Sequence, residues 1–344
     1  MTATLHLVIP GLLETGRFEP ADPAFPSPAA PALGWLLARA DVGAVPATSD
    51  GVLFQLFGLP VPAASELPVA AVTRLADGGE ADDGWWLRAD PVHLRPDLRG
   101  VLLADARVLA LEPAETRALV EAFNQTFAVD GLRLDAPRPD RWYLRLPADP
   151  GLRTHPLIEA IGRDINPLLP HGPNVRRWHA LLTEAQMLFH GHSVNQERER
   201  HRQPTINGLW LWGGGRCPPG ARAPAAGLYA DDPLTRGLAR LADAAVAPVP
   251  EHAGDWLDTA DGEPDSLVVL EATRHDAADD DPASWTDHIA ELEYAWFALC
   301  RRWLRTGKLT TLHLYPGNGR VYTLTGTARW RLWRRPRPLP TYRS

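Results

Sequence analysis

Between Asn174 and Gly215 the apolar positions of the chain change period. Val175, Trp178, Leu181, Leu182, Ala185, Leu188 and Phe189 recur at helical spacing, which predicts a four-turn helix with Asn174 as N-cap and Gly191 as its stop. A polar segment dense in His, Asn and Arg follows. Leu209-Trp210-Leu211-Trp212 is then an unbroken apolar run closed by Gly213, Gly214 and Gly215, the pattern of a strand in a sheet covered on both faces. A polar segment lying between a buried helix and a buried strand is where open α/β sheets keep a ligand crevice.

The rest of the chain alternates in a similar way. Thr4 to Ile9 predicts a first strand ending at Pro10-Gly11, and helices are predicted from about Ala32 to Arg39 and Glu66 to Leu75. Val52 to Leu59 fits helix or strand, Ser49-Asp50 reads as a turn before Gly51, and Asp22 to Pro31 reads as a loop. Asp77 to Gly84 is polar and glycine-bearing, a boundary. Beyond it the pattern predicts strands at Trp85 to Ala89, Val101 to Leu111 and Arg141 to Leu146. A helix from Pro113 to Phe123 and a hairpin about Asp130-Gly131 fall between them. This describes an α+β insert over 84–147, flanked by 1–80 and 150–344 as one α/β core.

Pro233 to Ala244 predicts a helix, Ser266 to Leu270 a strand, and Ser284 to Leu304 a long helix capped by Ser284 and Asp287 and ended by Gly307. Thr310 to Leu314 and Arg320 to Thr325 predict an edge hairpin about Gly317-Asn318-Gly319.

Size and charge narrow the function. With 344 residues, 45% hydrophobic and 22% charged, the chain can bury one large core or two smaller ones. No stretch approaches the roughly 20 apolar residues of a membrane span, and the N-terminus lacks the features of a signal peptide. The expectation is a cytoplasmic protein with no membrane partner. A net charge of −7 argues against general nucleic-acid affinity. Cys217 and Cys300 have no CxxC spacing, and Lys308, the single lysine, excludes a Walker A site.

His192, Val194, Asn195, Arg198, Asn207, Gly213 and Gly215 stand in the order His-x-Val-Asn-x-x-Arg, spacer, Asn, apolar strand, Gly-x-Gly. That order resembles the C-terminal half of archaeal-type cofactor-independent phosphoglycerate mutases of the alkaline phosphatase superfamily. Nearly the whole chain resembles a bacterial offshoot of that group, the regulatory proteins of RpfE type, with NGLWLWGGG as the most specific feature. The resemblance implies an alkaline-phosphatase-like α/β fold, a mostly parallel sheet flanked by helices with a small α+β inserted domain on the substrate side. It also implies a first strand ending in a metal-holding aspartate. This chain has Pro10 and Gly11 there, with Glu14 the nearest acid. The expectation is therefore a pseudoenzyme with an eroded metal centre and a regulatory or ligand-binding role. The alternative is an active cofactor-independent phosphoglycerate mutase, an isomerase, or a related phosphotransferase that depends on Mn or Zn.

The polar constellations follow from that choice. His190, His192, Asn195, Arg198 and His201 could form a phosphate site with Arg198 as clamp, or simply a capped helix end and a solvated loop. Arg88, Asp90, His93, Arg95 and Arg99 lie in a predicted loop, where guanidinium forks suit carboxylate and phosphate or pair with Asp90 and Asp97. Arg88, Arg95, His192, Asn195, Arg198 and Asn207 are thus the candidate ligand residues for a phosphorylated small molecule. A protein partner is the other expectation. His190, His192, His275 and Asp276 are the candidate metal ligands, the last two beside the acidic run Asp279, Asp280 and Asp281. The basic, aromatic ARWRLWRRPRPLP near the C-terminus would suit RNA or anionic lipid. A final strand alternating Trp330 and Leu332, followed by a frayed tail, also accounts for it.

Overall fold

The computed structural model describes residues 3–14, 28–62, 66–98, 100–259, 265–276 and 281–342. Arg99, Asp279, Asp280 and most of the Asp22 to Pro31 loop lie outside the described residues. Two compact units are present, one of Met1–Val61 with Gly220–Ser344 and one of Pro62–Pro219. The strands in chain order are β1 (Ala3–Val8), β2 (Asp41–Ala44), β3 (Trp85–Asp97), β4 (Gly100–Ala104), β5 (Arg133–Arg138), β6 (Arg141–Leu146), β7 (Gly208–Gly215), β8 (Gly227–Tyr229), β9 (Asp265–Val269), β10 (Leu309–Tyr315) and β11 (Arg320–Thr325).

The first unit is built on a sheet of order β2-β11-β10-β1-β9-β8. β1 runs parallel to both β10 and β9, β9 parallel to β8, and β11 and β2 close the edge antiparallel. The expected α/β class, a mostly parallel sheet with helices, is present here. Alternation along β1 sends Leu5 and Leu7 to one face, where they join Leu312 and Leu314 of β10 and Val268 of β9. The helix Pro31–Arg39 and the long helical segment Pro282–Thr306 cover that face through Leu33, Leu36, Trp285, Ile289 and Trp303.

That segment is less regular than its apolar stripe predicts. It holds a π-helical turn at Glu293–Phe297, and its N-cap is Asp281, whose carboxylate accepts from the amides of Ala283 and Ser284. The π turn has a use. Glu293 accepts hydrogen bonds from the amides of Ala32 at 2.6 Å and Leu33 at 2.9 Å, capping a helix whose own N-cap residue, Ala30, offers no side-chain bond.

The opposite face of β1 and β10 presents His6, His313 and Tyr315. His6 stacks on His313 with ring centroids 4.6 Å apart, and its Nδ1 lies 3.1 Å from the Tyr315 hydroxyl. Burial, then the neighbouring His313, push the His6 imidazole down to about 4. A depressed histidine stabilises the fold above its ordinary value near 6.5, and that contribution is lost as pH falls through about 4. His6→Phe should therefore reduce the acid sensitivity of the first unit over that window by about 1–2 kcal/mol, read from urea melts at several pH values. An unchanged profile would mean that the pair carries no linkage.

The second unit is an antiparallel sheet of order β4-β3-β6-β5, with β7 added against β3. Here the structure corrects the opening expectation. β7 is buried on both faces, with Leu209 and Leu211 in one cluster and Trp210 in another, but it pairs antiparallel with β3 and borders no switch point of a parallel sheet. The stretch expected as an insert, 84–147, lies inside this unit, whose sheet β7 completes from beyond that stretch.

Several local readings change as well. The polar residues after Trp85 continue the 13-residue β3 rather than forming a loop. Val101 to Leu111 divides into β4 and a short helix, Ala106–Leu109. The hairpin expected about Asp130-Gly131 is instead the end of the helix Pro113–Phe127, with Gly131 left-handed at φ 71°. The polar segment expected as a loop is a second helix, Ser193–Arg200.

Candidate functional site

A partly buried cluster of charge in the first unit gathers beyond the ends of the parallel strands. Three separate stretches of the chain contribute to it, through Asp50, Asp232, and the pair Glu271 and Arg274. Asp50 stands in the first turn of the helix Ser49–Leu56, where the Thr48 hydroxyl caps the amide of Gly51 at 3.1 Å. Ser49-Asp50 is thus a capped helix start and not the turn the sequence pattern predicts. Asp232 caps the next helix, Pro233–Leu241, accepting from the Thr235 amide at 2.8 Å. Glu271 and Arg274 follow β9.

Arg274 is the common partner. Its Nη1 lies 3.3 Å from Asp50 Oδ1, and its Nε is in close ion contact with Glu271 Oε2. Burial lifts the Glu271 carboxyl to about 7, with Arg274 opposing and Asp232 and Asp50 adding to the rise. Burial likewise raises Asp232. Arg274 is held above its ordinary value: desolvation works against its charge, and the Glu271 and Asp50 carboxylates outweigh it. Ser49 Oγ, Asp232 Oδ2 and Glu271 Oε1 are buried without a hydrogen-bond partner.

The backbone at the end of β1 is closely packed. Thr273 Oγ1 donates to the Pro10 carbonyl at 2.7 Å, and Gly11, at φ 81°, packs so tightly that an added Cβ would lie 2.1 Å from the Thr273 carbonyl oxygen. A metal-holding aspartate at that residue would displace the backbone. The donor set also fits a divalent metal poorly, because the carboxylates already share one fixed guanidinium. Among the described residues no group of three or more His, Cys, Asp or Glu side chains is arranged to hold a metal ion.

The candidate metal ligands divide between the units. His190 is exposed, and His192 caps the helix Ser193–Arg200, its Nδ1 accepting from the Val194 amide at 3.2 Å. In the first unit, Asp276 is buried and bonds His288 Nδ1 at 2.7 Å, while its neighbour His275 is exposed.

The expected ligand residues mostly bind the chain itself. Arg88 donates from Nε at 3.0 Å and from Nη2 at 2.5 Å to Asp90 Oδ1, and lies between the rings of Tyr143 and Trp212. The indole of Trp212 donates to the other Asp90 oxygen at 2.7 Å. Asn195 holds the carbonyls of Phe189 and Ile206 and accepts from the Ile206 amide. Arg198 bonds both Glu115 oxygens at 2.8 Å and the carbonyls of Leu109 and Pro204. Asn207 pairs with both backbone groups of Leu94, taking the part of a strand residue. Arg95 is exposed.

No family model matches the chain. Over 188 residues it is 26% identical to the probable 2,3-bisphosphoglycerate-independent phosphoglycerate mutase of Geobacter sulfurreducens, a match covering 53% of this chain and 46% of that protein. The likeness is to a phosphoglycerate mutase. The chain spans about half the length of this curated relative. Among solved structures, the PH0037 protein from Pyrococcus horikoshii matches with a TM-score of 0.61 over 99% of this chain and 92% of that one, at 14% identity, which establishes a common fold. The cofactor-independent phosphoglycerate mutase from Thermoplasma acidophilum matches over 95% of this chain and 90% of that one, at 18% identity and a TM-score of 0.49.

Sequence reasoning missed the cluster at Arg274. Its signals were two helix caps, Thr48 before Ser49-Asp50 and Asp232 before Pro233, and the Glu-x-x-Arg spacing of 271 and 274 just past an apolar strand.

Proposed function

We propose that this phosphoglycerate-mutase-like protein carries an arginine–carboxylate cluster beyond the ends of its parallel strands, and serves as a regulatory or ligand-binding protein of RpfE type. The observation that carries this reading is Arg274, which supplies a permanent cation to Asp50 and Glu271 beside a β1 end closed by Gly11 and Thr273. In-line phosphoryl transfer through metal-held oxygens needs open coordination positions, and a guanidinium offers none. The partner would be a phosphorylated metabolite or another protein. No helix among the described residues is long and apolar enough to cross a membrane.

One observation favours the second reading, an active mutase. Ser49 is buried with an unpartnered hydroxyl at a helix start beside Asp50, a place suited to a nucleophile. Metal analysis of purified protein together with a mutase assay on 3-phosphoglycerate with added manganese separates the two. The regulatory reading expects less than stoichiometric metal and no manganese-dependent turnover above the protein-free blank. Turnover abolished by Ser49→Ala would overturn it and establish the enzyme.

A further inference from the structure

The arginine- and tryptophan-rich segment near the C-terminus neither forms a strand nor frays. Gly326–Trp330 is a 3-10 helix, and the chain beyond it is pinned to the first unit. Arg331 donates to the Arg39 carbonyl at 2.7 Å and to Asp41 at 2.5 Å, Arg334 donates to the Ala40 carbonyl at 2.6 Å, and Leu339 is buried in the core. Alternation would have placed Trp330 and Leu332 together on a covered face. Both are exposed instead, at 66% and 69%, and Trp333 at 75%. An anchored segment that holds three large apolar side chains in water, close together in sequence, calls for a partner.

The charge around them defines it. Arg329 stacks over Trp330 and bonds the Arg305 carbonyl, which brings the basic end of the helix Ala298–Thr306 alongside. Arg335 and Arg337 are exposed, and their side chains have no partner among the described residues. The prolines at 336 and 338 restrict this stretch to extended backbone. Asp41 is the acid bonded within this group, and it is already shared between Arg331 and Arg334.

We propose that this surface docks the protein on an anionic lipid bilayer, with Trp330, Leu332 and Trp333 entering the interface and Arg335 and Arg337 meeting headgroup phosphates. Indole rings favour the bilayer interface, arginines beside it favour anionic headgroups, and neither requires a spanning helix. A nucleic acid could stack the tryptophans and bind the arginines, but it has no use for an exposed leucine between them.

Sedimentation of the full chain with vesicles tests this. One vesicle preparation is phosphatidylcholine alone, the other half phosphatidylglycerol. Binding to the anionic vesicles only, weakened by added salt, is expected. Trp330→Ser/Leu332→Ser/Trp333→Ser and Arg335→Glu/Arg337→Glu should each lower the partition coefficient by about tenfold or more. The second variant alters side chains without internal partners, so its thermal melt should match that of the parent. No preference for anionic vesicles, or undiminished binding by both variants, would overturn the proposal. So would tryptophan-dependent binding of a uridine-rich RNA oligonucleotide without vesicle binding.

Discussion

Arg198→Ala is expected to destabilise the second unit by about 2–4 kcal/mol, because it removes the buried partner of a partly buried ion pair and leaves the backbone carbonyls it holds without a donor. The Arg198 side chain is only 2% exposed, and its guanidinium satisfies both oxygens of Glu115 and two backbone carbonyls. Truncation strands all of these acceptors at once. Burial alone would raise the Glu115 carboxyl, but Arg198 and the Glu112 amide together hold it below its usual range. A depressed carboxylate contributes stability above its unfolded value near 4.5 that is lost as pH falls through the folded one. The difference between parent and variant should therefore be largest near pH 7 and shrink below pH 4. Thermal unfolding at both pH values checks this, with a fall of about 10 °C expected at neutral pH. If Arg198 were a ligand clamp, the variant would keep its melting temperature and lose only anion binding. That outcome would restore the crevice expected from the sequence.

The sequence made some elements legible because their signals are local. The helix Val175–His190 ends at Gly191 where its apolar stripe stops, and β10 and β11 turn at Gly317 and Gly319, both at positive φ. What it concealed depends on distant partners. An apolar strand flanked by glycines looks the same whether its neighbours run parallel or antiparallel, so β7 could not be assigned to its sheet from Leu209 to Gly215 alone. The polar residues between Phe189 and Gly208 have the composition of a ligand site, yet Asn195 bonds 11 residues away and Asn207 bonds Leu94, 113 residues away. Side chains that stitch backbone together and side chains that bind ligand use the same chemistry. The Arg274 cluster was hidden for the converse reason: Asp50, Asp232, Glu271 and Arg274 carry no common motif until the sheet topology collects them.

Arg274→Ala is expected to lower the stability of the first unit most at alkaline pH, by about 2–3 kcal/mol at pH 8 and less at pH 5.5. Because the Glu271 side chain retains 31% exposure, solvent screens part of the charge and the lower half of the usual range applies. Glu271 is already lifted to about 7 in the native fold, chiefly by burial. A raised carboxyl favours folding below its unfolded value near 4.5, and that contribution is lost as pH climbs through about 7. Without the guanidinium, Asp50 and Asp232 would raise it further, extending the loss to higher pH. Glu271→Gln supplies the control, since the amide oxygen still accepts from Arg274 but does not ionise. That variant should flatten the stability profile between pH 5 and 8 and restore most of the alkaline loss when combined with Arg274→Ala. Arg274→Lys should fall between, retaining charge but not the fork that reaches both carboxylates. Urea melts across that pH range decide the matter. If Arg274→Ala is as stable as the parent at pH 8, or Glu271→Gln fails to rescue it, the guanidinium is not the cation these carboxylates are organised around, and the regulatory reading loses the observation that carries it.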